Sequence, residues 1–281
     1  MELQALQSMA TQVRRDIVRM VHAVQSGHPG GSLGCTDFLV ALYFDVMKHQ
    51  PSTFTMDGAY EDVFFLSNGH ISPVFYSVLA RSGYFDVSEL ATFRKLNSRL
   101  QGHPTTHEGL PGVRVASGSL GQGLSVACGA ALSKKMNQES DTFVYALLGD
   151  GELEEGQNWE AAMFAAHHKL DNLIITIDVN GQQIDGATKD VMNIAPLQQK
   201  FESFGWTVIE MEGNDMAKVL DGIHKAQGLS RNNKPVCILM KTEMGKGVDF
   251  MEGTHEWHGI APNDQQLENA LAQLNTTLSD Y

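Results

Sequence analysis

The chain has 281 residues, 42% of them apolar, which is enough to bury one large α/β core. Its formal net charge of −13 argues against a nucleic-acid or anionic-membrane partner, since such a body repels both. The three cysteines, Cys35, Cys128 and Cys237, lack C-x-x-C spacing and suggest reduced thiols in a cytoplasmic protein.

Residues 1–25 place Leu3, Leu6, Met9, Ala10, Val13, Ile17, Met20, Val21 and Val24 on one helical face, the pattern of an amphipathic helix and not of a signal peptide. Nowhere does an apolar run reach the roughly 20 residues of a membrane span. Residues 26–32, with three glycines and a proline, predict a loop that fixes His28 ahead of a helix over 36–47. Residues 62–66 read as a short buried strand that ends at Ser67-Asn68-Gly69-His70, before a helix over 72–81. Residues 88–96 read as helical packing without chemistry. His103 and His107 are spaced as a zinc pair could be, but no cysteine is near and Pro104-Thr105-Thr106 is poor helix sequence, so zinc is not expected. Residues 117–123 open a helix of small residues suited to close approach of a ligand or a backbone.

The most informative stretch is 142–182. An apolar run over 143–148 stops at Gly149-Asp150-Gly151, a helix comes next over 156–169, and a second apolar run over 173–179 stops at Asn180-Gly181. This is a strand, a crossover helix and a parallel strand. Parallel neighbours end on one edge of their sheet, so Asp150 and Asn180 should meet. A carboxylate, an amide oxygen and turn carbonyls suit a hard cation such as Mg²⁺ or Ca²⁺, which implies a polyphosphate ligand. The helix near Gly156 would offer free N–H groups beside it. A nicotinamide dinucleotide is disfavoured because the G-x-G-x-x-G pattern would need glycine where Glu154 stands. Further strands over 206–211 and 236–241 alternate with helices over 196–203 and 215–227, and a polar helix closes the chain over 263–279. The expectation is one α/β domain over 1–281, a doubly wound, mainly parallel sheet flanked by helices.

GDGELEEGQ followed by VN resembles the thiamine diphosphate signature of transketolase. GHPG at 27–30, SNGH at 67–70, GHP at 102–104 with LPGV at 110–113, SGSLGQG at 117–123 and WHGIAP at 257–262 are similar to the family's other motifs, in its order. The resemblance implies metal ligation by Asp150, Asn180 and the carbonyl of Gln182, with Mg²⁺ or Ca²⁺ as the metal. It implies that His70, His258 and the Gly151 backbone contact the cofactor diphosphate, and that Gly118, Ser119 and Leu120 lie against the cofactor rings; Ser119 stands where the family commonly has proline. It implies that His28, His103 and His258 act on substrate. Glu155 and Glu160 match acidic positions near the family's subunit interface, although a solvated first helical turn explains them equally well. Lys246, between two glycines, is a weaker candidate for a phosphate contact.

All of these motifs belong to the diphosphate-binding domain of transketolase. The family's pyrimidine-binding domain, whose glutamate activates the cofactor ring, resembles no segment here. The resemblance therefore implies the N-terminal half of a split transketolase that works on sugar phosphates, in a heterotetramer with a separate C-terminal chain. The alternatives are an α-type chain of a 2-oxoacid dehydrogenase, a deoxyxylulose-phosphate synthase fragment, and a non-catalytic cofactor-binding chain.

Overall fold

The computed structural model describes residues 1–281. In chain order its helices and strands begin with α1 (Leu3–Val24), α2 (Pro29–Gly34), α3 (Thr36–Ala41), β1 (Val63–Leu66), α4 (Ser72–Arg81), α5 (Gly123–Met136) and β2 (Val144–Gly149). They continue with α6 (Gln157–His167), β3 (Leu173–Val179), the short β4 (Gln182–Gln183) and β5 (Gly186–Ala187), α7 (Thr188–Val191) and α8 (Leu197–Ser203). The chain finishes with β6 (Thr207–Glu212), α9 (Met216–Leu229), β7 (Val236–Lys241) and α10 (Asp264–Gln273).

Five strands form one parallel sheet in the order β1-β2-β3-β7-β6, and β4 pairs antiparallel with β5 as a separate ribbon. The central strands read as continuous apolar runs because both faces of the sheet are covered. Tyr145 and Leu147 of β2, Ile174 of β3, and Val236, Ile238 and Met240 of β7 enter the core shared with α1, α3, α4 and α9. Their alternates Ala146, Leu148, Ile175, Ile177, Cys237 and Leu239 enter the opposite core, with α5, α6 and Phe201 of α8. Period-two alternation thus feeds two cores, and each fully buried Leu or Ile contributes about 2 kcal/mol. No helix is long and apolar enough to cross a membrane.

The sheet register sets the position of the site. Gly149 lies opposite Asp178, so β2 and β3 end together, and the Asp150 N–H reaches the Asp178 carbonyl at 3.1 Å.

Three stretches differ from the sequence-based expectation. The expected loop at 26–32 is in part helix, since Pro29 starts α2 at a position where its missing N–H is harmless. The helix expected over 36–47 changes at Leu42 into a wider π-turn ending at Val46. The closing helix stops at Gln273, and the residues beyond it lie along α1. There Thr277 Oγ1 donates to the Ser8 carbonyl at 2.6 Å, Gln12 Oε1 accepts from the Leu278 N–H at 3.0 Å, and Arg15 pairs with Asp280 at 2.7 Å. Those tertiary partners outcompete local helix propensity.

Candidate active site

At the carboxyl edge of the sheet, where ligands of open α/β sheets gather, the strand-ending loops enclose a cavity of about 260 Å³. Its lining includes His28, Asn68, His70, Gly118, Leu120, Gly149, Asp150, Gly151, Asn180, Gln182 and His258. The motifs read separately along the chain therefore converge. Ser119 is exposed and lies outside the lining, between two neighbours that belong to it. A larger hollow of about 760 Å³ lies beyond Asn180, at the ends of β6 and β7, and contains none of the histidines.

Asp150 and Asn180 meet as strand pairing requires. Asp150 Oδ2 accepts from the Gly181 N–H at 2.8 Å, and Asp150 Oδ1 accepts from the Gly151 N–H at 2.8 Å. Asn180 Oδ1 accepts from the Gln182 N–H at 2.9 Å, closing an Asx-turn that presents Gln182 to the cavity. Burial and the charge of Asp178 push the Asp150 carboxyl up to about 7, against the N–H groups of Gly181 and Gly151 that pull it down. No Lys or Arg lines the cavity, and no cluster of three or more His, Cys, Asp and Glu side chains has metal-binding geometry. Asp150, Asn180 and Gln182, the three residues expected from the sequence to carry oxygen donors, all line the cavity.

Three imidazoles of the lining, His28, His70 and His258, lie against one another, and His103, outside the lining, approaches His28 alone. Ring centroids lie 5.2 Å apart for His28 and His70, 5.5 Å for His28 and His258, 5.1 Å for His70 and His258, and 6.2 Å for His28 and His103. Burial lowers the pKa of all four, helped at His28 by His258, Arg94 and His103, and His28 falls to about 4. At neutral pH these rings are uncharged, and each can give a proton at one nitrogen and take one at the other. Buried Nδ1 of His28, Nδ1 of His258 and Oδ1 of Asn68 have no partner within the chain. Such atoms are satisfied by a bound group or by water.

Other sequence-based candidates fall elsewhere. His103 is not among the residues that line this cavity, although its ring lies 6.2 Å from that of His28. Glu155 and Glu160 are exposed. Lys246 pairs with Glu243 at 2.9 Å and Glu252 at 3.2 Å and is not among the residues that line the cavity. Helix α6 begins only at Gln157, and none of its first turn lines the cavity; a tight turn over Gly151–Glu154 stands between it and Asp150.

Two carboxylates escaped the motifs. Asp178, at 2% exposure, accepts from Asn180 Nδ2 at 2.7 Å and from Thr242 Oγ1. Glu152, also at 2% exposure, accepts from Ser67, Gly121 and Gly149. An aspartate inside the apolar run LIITIDV was a usable signal for the first, whereas nothing in the spacing marks the second.

Residues 5–277 match the family described as transketolase, thiamine diphosphate binding domain. The chain is 40% identical over 270 residues to one subunit of an apulose-4-phosphate transketolase from Actinobacillus succinogenes, covering 96% of this chain and 95% of that one. It is 36% identical over 269 residues to a 6-deoxy-6-sulfo-D-fructose transketolase subunit from a Clostridium species, covering 96% of each. Against the transketolase of Homo sapiens it is 36% identical over 275 residues, 97% of this chain but 42% of the human one. The crystal structure of transketolase from Campylobacter jejuni superposes with a TM-score of 0.91 at 34% identity, over 100% of this chain and 44% of that chain. This chain belongs to the transketolase family, as its thiamine diphosphate-binding domain.

Proposed function

We propose that the chain is one folded domain over 1–281 and the cofactor-binding subunit of a two-chain transketolase, transferring a two-carbon ketol unit from a ketose phosphate to an aldose phosphate in the cytoplasm. The observation that carries this reading is the convergence of Asp150, Asn180 and Gln182 with His28, His70 and His258 on one cavity. A diphosphate entering a cavity lined by Asp150, Asp178 and Glu152 and lacking Lys and Arg would meet negative charge that a divalent cation entering with it would offset. The Asp150 carboxylate, the Asn180 side-chain oxygen and the Gln182 carbonyl would hold that cation, Mg²⁺ or Ca²⁺ by their chemistry.

His70, His258 and the backbone at Gly151 would then meet the diphosphate, with the backbone of Gly118, Ser119 and Leu120 against the rings. Thiamine diphosphate, when bound, would supply the carbanion chemistry that ketol transfer needs. This chain's part is binding, orientation and proton movement. His28, His103 and His258, uncharged at neutral pH, would hold or pass protons at the substrate oxygens.

A separate chain would bring the pyrimidine-binding domain and complete the site, in a heterotetramer. Two relatives of matching length carry the word subunit in their names, which supports a partner. Co-purification tests this: a stoichiometric second chain is expected, with ketol transfer by the complex and none by this chain alone. Robust turnover without a partner would refute the two-chain reading. Asp150→Ala should abolish Mg²⁺-dependent thiamine diphosphate binding in calorimetry, and unchanged binding would refute the metal assignment.

A further inference from the structure

Glu152 is 2% exposed, carries no positively charged partner, and stands in the tight turn that begins just after Asp150. Burying a carboxylate is costly unless its lone pairs are filled, and here the chain fills them from three directions. Glu152 Oε1 accepts from Ser67 Oγ and from the Gly121 N–H at 2.8 Å, and Oε2 accepts from the Gly149 N–H at 3.1 Å. Ser67 Oγ in turn accepts from the Gly123 N–H at 3.1 Å. The donors belong to three segments far apart in sequence: the loop after β1 that carries His70, the loop before α5 that carries Gly118 and Leu120, and the turn after β2 that carries Asp150.

The three segments are also packed too closely for side chains between them. A Cβ on Gly69 would sit 2.6 Å from the Gly118 nitrogen, and one on Gly123 would sit 2.8 Å from the Ser67 Cα. Backbone groups at such range, most of them on irregular loops, need a shared acceptor, and a carboxylate is the side chain that accepts several N–H and O–H groups without offering one of its own.

We infer that Glu152 is the positioning residue of this site, a buried acceptor that fastens the His70, Gly118–Leu120 and Asp150 loops into a single rigid wall. Glu152 lines the cavity, but both of its oxygens are engaged by the chain, so in this role it acts through the loops and not by binding cofactor or substrate. Cofactor affinity depends on it through the loops, a consequence that rests on the function proposed above. The fastening itself does not.

Glu152→Gln keeps size and removes one acceptor, setting an NH₂ group against a backbone N–H or the Ser67 hydroxyl. Amide hydrogen exchange on the full chain reads the consequence directly. Exchange at Gly121, Gly123 and Gly149 should accelerate by about tenfold or more, while Ile175 and Ile177 of β3, reporting global opening, keep wild-type rates. Mg²⁺-thiamine diphosphate affinity should fall with it. Ser67→Ala, which keeps the carboxylate but takes away one of its donors, should also speed exchange at Gly121 and Gly149, and not only at Gly123. Wild-type exchange at Gly121 and Gly149 in both variants would overturn the inference, as would a response of Gly123 alone to Ser67→Ala when Glu152→Gln does not fold. A wild-type complex with its partner chain that binds no cofactor would count against the proposed function, and the exchange rates would still decide the role of Glu152.

Discussion

Asn180 donates its side-chain amide to Asp178 at 2.7 Å, and this contact decides which end of the Asn180 amide is left to accept. An amide rotated by half a turn would present NH₂ where a cation needs oxygen. Asp178 holds its own place through Thr242 Oγ1.

Asp178→Asn should therefore weaken the metal without touching it. An asparagine has one oxygen for two donors, Asn180 Nδ2 and Thr242 Oγ1, so the clasp on Asn180 loosens. Loss of an outer-shell partner typically costs about 10–100-fold in metal affinity. Titrating Mg²⁺ into the variant at saturating thiamine diphosphate checks this, with Mg²⁺ affinity expected to fall in that range. Wild-type affinity would mean that the Asn180 amide is held by something else.

The buried histidines should make the fold acid-sensitive. His28 has a folded pKa near 4 against an ordinary 6.5, so the unfolded chain binds its proton more readily. Its contribution to stability is fully present above pH 6.5 and is lost as pH falls towards 4, a loss of at most about 3 kcal/mol. His70, His103 and His258 shift in the same direction. The raised carboxyls of Asp150, Asp178 and Glu152 act oppositely, gaining stability on acidification, so the informative quantity is a difference between proteins. Urea midpoints of wild type and His28→Asn should converge as the buffer is taken from about pH 7.5 to about pH 5. A constant gap would mean that the His28 environment does not penalise the imidazolium.

Arg94 extends the same electrostatics. Its guanidinium donates to Ser26 Oγ at 2.9 Å and faces the Gly102 carbonyl at 3.4 Å, so it clasps the loops of His28 and His103, and it has no carboxylate partner. Its charge helps to lower the pKa of both histidines. Arg94→Met should raise both, and Arg94→Lys should raise them less because the charge remains. Imidazole proton shifts followed by NMR titration report each ring separately. Unmoved titrations in Arg94→Met would leave burial as the whole cause.

The legibility of each site residue in the sequence depends on the kind of structure that places it. Asp150 and Asn180 answer to strand ends, and period-two apolar runs locate strand ends well, so their meeting could be derived from thirty residues of spacing. His28, His70 and His258 were legible only through resemblance, because nothing local says that three loops so distant along the chain will face one cavity. Glu152 was not legible at all. Its partners are backbone N–H groups of glycines, and a glycine N–H carries no sequence signature. The helix α2 is hidden in the sequence because its glycines and proline read as breakers, whereas Pro29 takes a first helical position and Gly30, under Met244, serves close packing.

Close backbone approach gives the last prediction. A Cβ at Gly69 would lie 2.6 Å from the Gly118 nitrogen and 2.7 Å from the Ser117 carbonyl carbon, and backbone atoms have no rotamer by which to yield. Gly69→Ala must therefore move the His70 loop away from the Gly118 loop, opening the wall between diphosphate and ring contacts. Gly129 is the control. It sits within α5 with nothing inside 4 Å of its Cβ, so Gly129→Ala should stabilise the chain by about 0.5–1 kcal/mol through helix propensity. Thiamine diphosphate affinity with Mg²⁺ should drop by about tenfold or more in Gly69→Ala, the scale of a few lost contacts, and stay at the wild-type value in Gly129→Ala. If both variants bind alike, the close approach of the two loops is a matter of packing and the cofactor does not depend on it.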